Sequence, residues 1–174
     1  MQNENVTGDS IQMTDFDRPK LNSTLNVLTI LSFIGCALQL IGAGWGFYSA
    51  KNNYDQKDKM LEQINSANVP KAAKAFMPDT AHLEEILIKS YENRLPILIL
   101  GLVAVGLCFY GVTQMRKLKK QGFLFYVIGE LLPFLSMVLF IGTFSLAGFA
   151  FYFGVCIALL FIILYAMQRK NLVY

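Results

Sequence analysis

The chain has 174 residues and a formal net charge of +3, with 55% of its residues apolar and 16% charged. A water-soluble domain carries about 25% charged residues, so this composition excludes an ordinary soluble protein. The small net charge also gives no reason to expect nucleic acid among the partners.

Four stretches of the chain are long and apolar enough to cross a bilayer. The hydrocarbon core is about 30 Å thick and requires about 20 mostly apolar residues in each helical span. The four stretches are residues 25–48, 95–115, 123–141 and 149–167, and Glu130 is the only charged residue among them. The sequence therefore predicts an all-α polytopic membrane protein with a four-helix transmembrane bundle.

The segments outside the spans differ in length and charge. Residues 1–24 are polar with few large apolar side chains, and we expect a flexible cytoplasmic tail. Residues 49–94 contain seven basic and seven acidic residues and apolar residues at helical spacing. For this external segment we expect short amphipathic helices that lie on the outer membrane surface or on each other. The remaining segments are a basic loop at 116–122, an uncharged turn at 142–148 and a C-terminus at 168–174.

No motif in the sequence is typical of a catalytic, metal or redox site. HExxH, GxSxG and acidic metal clusters do not occur in it. The single histidine, His82, precedes Glu85 by three residues, but two ligands on one helix do not make a metal site. Cys36, Cys108 and Cys156 lie within apolar spans without CxxC spacing, so we interpret them as small packing residues. We therefore expect no enzymatic activity, no metal and no cofactor.

Small residues recur at spacings of three or four in three of the four spans, which places them on one face of each helix. Such faces allow the backbones of neighbouring transmembrane helices to approach closely. They comprise Gly35, Gly42 and Gly46 in the first span, with Ser32 and Gln39 in the same stripe; Gly101, Ala104 and Gly111 in the second; and Ala150, Gly154 and Ala158 in the fourth. The pattern predicts a compact bundle, or a homo-oligomer or a complex with another membrane protein if one face is left over.

Basic residues predict the orientation of the chain, because short loops rich in lysine and arginine favour the cytoplasmic side of the membrane. The main cluster is Arg116, Lys117, Lys119 and Lys120, and the two ends of the chain add Arg18, Lys20, Arg169 and Lys170. The 142–148 turn has no charge, and the basic residues of 49–94 are matched by acids. We therefore expect both termini in the cytoplasm. The cluster can also attract anionic lipid, at about 1 kcal/mol per residue, or dock an acidic cytosolic partner.

Glu130 is the sequence feature with the clearest chemical interest. It lies about 10 Å inside the third span, counted at 1.5 Å per residue. Burial away from water disfavours the charged carboxylate, so we expect the group to be protonated and to donate a hydrogen bond. The polar candidates near it are Tyr126, Ser32 and Tyr110, whereas Gln39 lies beyond the midplane. Glu130 is either a structural hydrogen bond between helices or a proton or cation site in a small transporter.

Three short motifs carry a resemblance to a known group of proteins. They are the RPK before the first span (18–20), the WG near its end (45–46) and QMRKLKKQGF at the entry to the third span (114–123). Together they resemble a group of small, uncharacterised four-span membrane proteins of Bacteroidota-type bacteria. The resemblance implies a bacterial inner-membrane location, no established activity and no site residue. We therefore expect a non-enzymatic membrane component or assembly partner, with a small transporter or channel centred on Glu130 as the alternative.

Overall fold

The computed structural model describes residues 22–65, 80–143 and 149–172. Within these ranges the chain is helical and contains no strand, so the predicted all-α class is confirmed. The helices are α1 (Ser23–Asp55), α2 (Lys57–Asn65), α3 (Thr80–Glu92), α4 (Arg94–Arg116), α5 (Gln121–Phe140) and α6 (Phe149–Gln168), followed by a 3-10 turn (Arg169–Asn171). The predicted tail up to residue 21, residues 66–79 of the external segment and 144–148 of the last turn lie outside the described residues.

Four of the helices, α1, α4, α5 and α6, are long and apolar enough to span a membrane. The chain is therefore a membrane protein with a four-helix bundle. Helix α1 has 33 residues and is about 50 Å long at 1.5 Å per residue, which exceeds the hydrocarbon core. The sequence predicts that the first span ends at Tyr48, but the helix continues to Asp55 because no proline or glycine follows Gly46 in this stretch.

The end of α1 that extends past the apolar stretch packs against α2 and α3. The ring of Tyr54 on α1 stacks on the ring of Tyr91 on α3, with a centroid separation of 4.6 Å. The ammonium of Lys57 on α2 lies 3.6 Å from a carboxylate oxygen of Glu84 on α3. These contacts form a small helical layer at one end of the bundle, which we call the α2–α3 layer.

Helices α4 and α5 form a hairpin in which the two backbones touch. A Cβ added at Gly122 would lie 2.5 Å from the carbonyl oxygen of Gly111, and one at Gly129 would lie 2.8 Å from the carbonyl oxygen of Ala104. Real Cβ atoms do not approach so closely, so this contact requires glycine at both positions. The connecting turn passes through Leu118, whose φ of 59° is in the left-handed region.

Basic residues lie at the end of the bundle opposite the α2–α3 layer. The guanidinium of Arg116 lies 5.9 Å from the ring centre of Phe33 on α1, and that of Arg169 lies 5.8 Å from the ring centre of Phe123 on α5. The side-chain amide of Asn22, just before α1, donates a hydrogen bond to Oε1 of Gln168 at the end of α6, at 3.5 Å. The basic cluster and the described part of the C-terminus therefore share one end of the molecule.

Helix α6 is less tightly held than α4 and α5. It packs on α5 through Phe151, which meets Phe134 edge to face at 5.6 Å, and through Gly154, where an added Cβ would lie an ordinary 3.4 Å from the Phe134 ring. Ala158 is buried, whereas Leu160 is largely exposed. Most of the α6 surface is therefore available to lipid, as its uniformly apolar sequence predicts.

Candidate functional site

A polar cluster lies in the apolar part of the bundle where α1, α4, α5 and α6 meet. Its central member is Glu130, on the face of α5 that packs against α4. The thiol of Cys108 on α4 donates to Oε2 of Glu130 at 3.5 Å and also lies 3.8 Å from the carbonyl oxygen of Tyr126. Cys108 is brought this close because Gly129 has no side chain to separate α4 from α5.

Cys36 on α1 lies in the same buried cluster of side chains as Cys108 and Tyr126. Both cysteines are buried, whereas Cys156 on α6 is exposed. The sequence assigns these two cysteines only to packing, because they are far apart in the chain and follow no spacing motif. Their place in one cluster depends on how α1 and α4 are shifted along each other, which hydropathy does not reveal.

A second polar pair closes the cluster on the α6 side. The hydroxyls of Ser32 on α1 and Tyr165 on α6 are 2.9 Å apart, and the rings of Tyr126 and Tyr165 are 4.7 Å apart, centre to centre. The structure therefore brings two of the predicted partners, Ser32 and Tyr126, into the cluster around Glu130. Tyr165 was not among the predicted residues, although a tyrosine hydroxyl in an apolar span requires a hydrogen-bond partner.

A narrow cleft of about 190 Å³ lies beside Glu130, between α1, α5 and α6. It is lined by Leu31, Ser32, Gly35, Cys36, Gln39, Tyr126, Glu130, Ile157 and Phe161. The depth count along the sequence places Gln39 beyond the midplane from Glu130, yet the two residues line the same cleft. The count assumes that every span enters the membrane at a known residue. Helix α1 has 33 residues and is longer than the membrane core, so its entry residue cannot be read from its ends.

A larger groove of about 590 Å³ opens between α1, α3, α4 and α5. Gln39 lies at its inner end as well, so this residue stands between the groove and the cleft. The Gln39 Oε1 atom is buried and has no hydrogen-bond partner in the part of the chain that the structure describes. Asn53, Ser90 and Arg94 line the groove near the α2–α3 layer, and Gly42 lies on the α1 wall.

The remaining predicted residues lie elsewhere. Tyr110 packs edge-on against Phe125 at 5.1 Å and does not line the cleft. The glycines of the first span face open space, because a Cβ at Gly35, Gly42 or Gly46 would meet no atom within 4 Å. In the second span, Ala104 and Gly111 lie in the hairpin contact with α5. Gly101 is less crowded, because a Cβ added there would lie 3.6 Å from the Cβ of Ala43, an ordinary contact distance. The side chain of Ala150 is outside the described part of the chain.

The arrangement can hold a proton or bind a hydrogen-bond donor at Glu130. In the three described ranges no group of three or more histidine, cysteine, aspartate or glutamate side chains is placed to bind a metal ion. Comparison of the chain with protein-family models, with curated proteins and with solved structures gave no match.

Proposed function

We propose that this protein is a non-enzymatic component of a bacterial inner membrane and that it assembles with a partner transmembrane helix at Glu130. The observation that carries the proposal is the surroundings of this carboxyl group. Its one hydrogen bond among the described residues is from the Cys108 thiol at 3.5 Å, and a thiol is a weak donor. No lysine or arginine occurs within the four apolar stretches.

A carboxyl group in this environment is stabilised by a stronger donor from outside the chain. Ionisable groups within transmembrane segments are commonly paired with one another or with backbone carbonyls. The cleft beside Glu130 is bounded by α1 and by the loosely held α6, so a donor side chain has access from the lipid side. The partner helix belongs to another membrane protein or to a second copy of this chain.

The basic end of the bundle supports an orientation with both termini in the cytoplasm. The side chains of Arg116 and Arg169 lie at this end, and the positive-inside tendency places such residues in the cytoplasm. The α2–α3 layer is then external. The clustered lysines and arginines also suit contact with anionic headgroups.

Affinity purification from the native membrane tests the assembly proposal. We expect a stoichiometric partner, or a homo-oligomer, with the wild-type protein, a weakened complex with Glu130→Gln and loss of the complex with Glu130→Ala. Leu131→Ala is the matched control, because Leu131 is the next residue and faces lipid with 45% exposure. A complex that survives Glu130→Ala, or a wild-type protein that purifies alone as a monomer, would refute the proposal.

A second candidate function is a small transporter that uses Glu130 as a proton or cation site. The position of Gln39 favours it, because this amide stands between the outer groove and the Glu130 cleft. The two cavities then offer a route from the α2–α3 layer to the carboxyl group, with the amide of Gln39 between them. Proton flux into proteoliposomes that is abolished by Glu130→Gln and reduced by Gln39→Leu would support transport; flux equal to that of protein-free liposomes would exclude proton transport.

A further inference from the structure

We propose that the groove between α1, α3, α4 and α5 binds one anionic membrane lipid, with its phosphate at Arg94 and an acyl chain along α1. The proposal is independent of the assembly role proposed for Glu130, because it concerns a different cavity with a different chemistry. It rests on the dimensions of the groove, on its apolar wall and on the basic group at its mouth.

The groove has the length of one membrane leaflet. Its lining extends along α1 from Gln39 to Asn53, which corresponds to about 21 Å at 1.5 Å per residue. Half of a bilayer, headgroups included, is about 20 to 22 Å thick. The groove, with a volume of about 590 Å³, therefore extends over the depth that a single lipid occupies.

The wall of the groove suits a flexible hydrocarbon chain. Gly42 and Gly46 give α1 a bare surface, since a Cβ at either position would meet no atom within 4 Å. Across from them the groove is lined by aliphatic side chains, including Ile97 and Leu98. An acyl chain can lie against the exposed backbone of α1 and gain contacts that bulky residues would prevent.

The mouth of the groove carries a cation, the guanidinium group of Arg94. The guanidinium of Arg94 lies 4.7 Å from the ring centre of Tyr91 and 5.5 Å from that of Phe47, which hold it in place. Among the residues that the structure describes, none forms an ion pair with Arg94. Asn53 and Ser90 line the same region. Arginine forms paired hydrogen bonds with phosphate, so this end matches a phosphate headgroup.

The extent of the groove favours a lipid over a protein helix. Ile86 and Leu87 of α3 line it toward the α2–α3 layer, and Gln39 and Pro133 line it near the membrane centre. A partner transmembrane helix needs a surface that is open at both ends. A molecule with one polar end and a length of one leaflet fits between these boundaries.

Native mass spectrometry of the detergent-purified protein tests the proposal, with phosphatidylglycerol and phosphatidylcholine of identical acyl chains as probes. We expect the wild-type protein to retain one phosphatidylglycerol in preference to phosphatidylcholine. Arg94→Gln should weaken phosphatidylglycerol binding about tenfold, which corresponds to the loss of a charge-assisted hydrogen bond. Lys51→Gln is the charge-matched control, because Lys51 is exposed near the same end of α1 but does not line the groove.

A second pair of variants tests the acyl-chain site. Gly42→Leu fills the groove and should reduce the binding of both lipids, whereas Gly44→Leu should leave it unchanged, because Gly44 also faces open space but does not line the groove. Unchanged thermal unfolding of both variants establishes that they are folded. Equal binding of the two lipids, unaltered binding by Arg94→Gln or Gly42→Leu, or a dimer that Gly42→Leu dissociates would each overturn the proposal.

Discussion

The thiol of Cys108 on α4 lies 3.5 Å from a carboxyl oxygen of Glu130 on α5. Glu130 is the single acidic residue of the four apolar stretches, and the contact lies within the α4–α5 hairpin, where the two backbones touch. It depends on Gly129, whose missing side chain allows Cys108 to approach. Glu130 is therefore held at a fixed place in the bundle while one side of it faces the cleft.

The first prediction concerns the protonation state of this carboxyl group. Glutamine keeps the shape and a hydrogen-bonding amide but cannot ionise. If Glu130 is neutral in the bundle, the free energy of unfolding of Glu130→Gln should lie within about 0.5 kcal/mol of the wild-type value. Glu130→Ala should lower the free energy of unfolding by about 1 kcal/mol, the usual size of a hydrogen bond between transmembrane helices. Chemical or thermal unfolding in detergent measures both. Equal losses for Gln and Ala would contradict the prediction.

A second prediction tests the hairpin contact. Gly122→Ala places a methyl group 2.5 Å from the carbonyl oxygen of Gly111, so α4 and α5 must separate. We expect a loss of about 1 to 3 kcal/mol, as for overpacked cores, in thermal unfolding of the purified protein. Gly106→Ala is the control, because a Cβ at Gly106 meets no atom within 4 Å. Equal stabilities of the two variants would show that α4 and α5 are farther apart.

The third prediction uses Cys36 on α1 and Cys108 on α4, which lie in one buried cluster of the bundle. Two cysteines of one cluster can be joined by an oxidant when their Cα atoms lie within about 7 Å of each other. Treatment with copper phenanthroline should remove two hydrogen atoms and join the tryptic peptides that contain these residues, as seen by mass spectrometry. Cys156 is exposed on α6 and should remain available to a maleimide under denaturing conditions. A disulfide that involves Cys156 within one chain would contradict the helix arrangement.

A fourth prediction concerns orientation. Alkaline phosphatase is active only outside the cytoplasm, so a fusion after Asn65 should be active in a bacterial host and a fusion at the C-terminus inactive. Replacing Arg116, Lys117, Lys119 and Lys120 by glutamine should weaken this difference, because the positive-inside signal is then smaller. High activity of the C-terminal fusion in the unaltered protein would show that the orientation is reversed.

Hydropathy was sufficient to predict the class of the fold and the approximate positions of the apolar helices. Helix α4, for example, begins at Arg94 and ends at Arg116, next to charges that were visible in the sequence. The sequence predicts helices within residues 49–94 but does not predict that α1 itself continues past Tyr48. The polar residues after Tyr48 are compatible with both a loop and a helix.

The candidate site was predicted only in part. Glu130 was found because a charge in an apolar stretch is conspicuous, and Ser32 and Tyr126 because their depths match. Cys36 and Tyr165 were missed, since contacts between helices depend on their relative shift and rotation. Two helices with the same hydropathy can pack in many registers, and a single sequence does not distinguish among them.

Helix α1 runs without a break from Ser23 to Asp55, and its outer turns are clamped to α3 by the stacked rings of Tyr54 and Tyr91. About 24 Å of continuous helix, at 1.5 Å per residue, separates Asp55 from Gln39. No loop interrupts α1 between these two points. One helix therefore joins the α2–α3 layer to Gln39, the residue that lines both cavities.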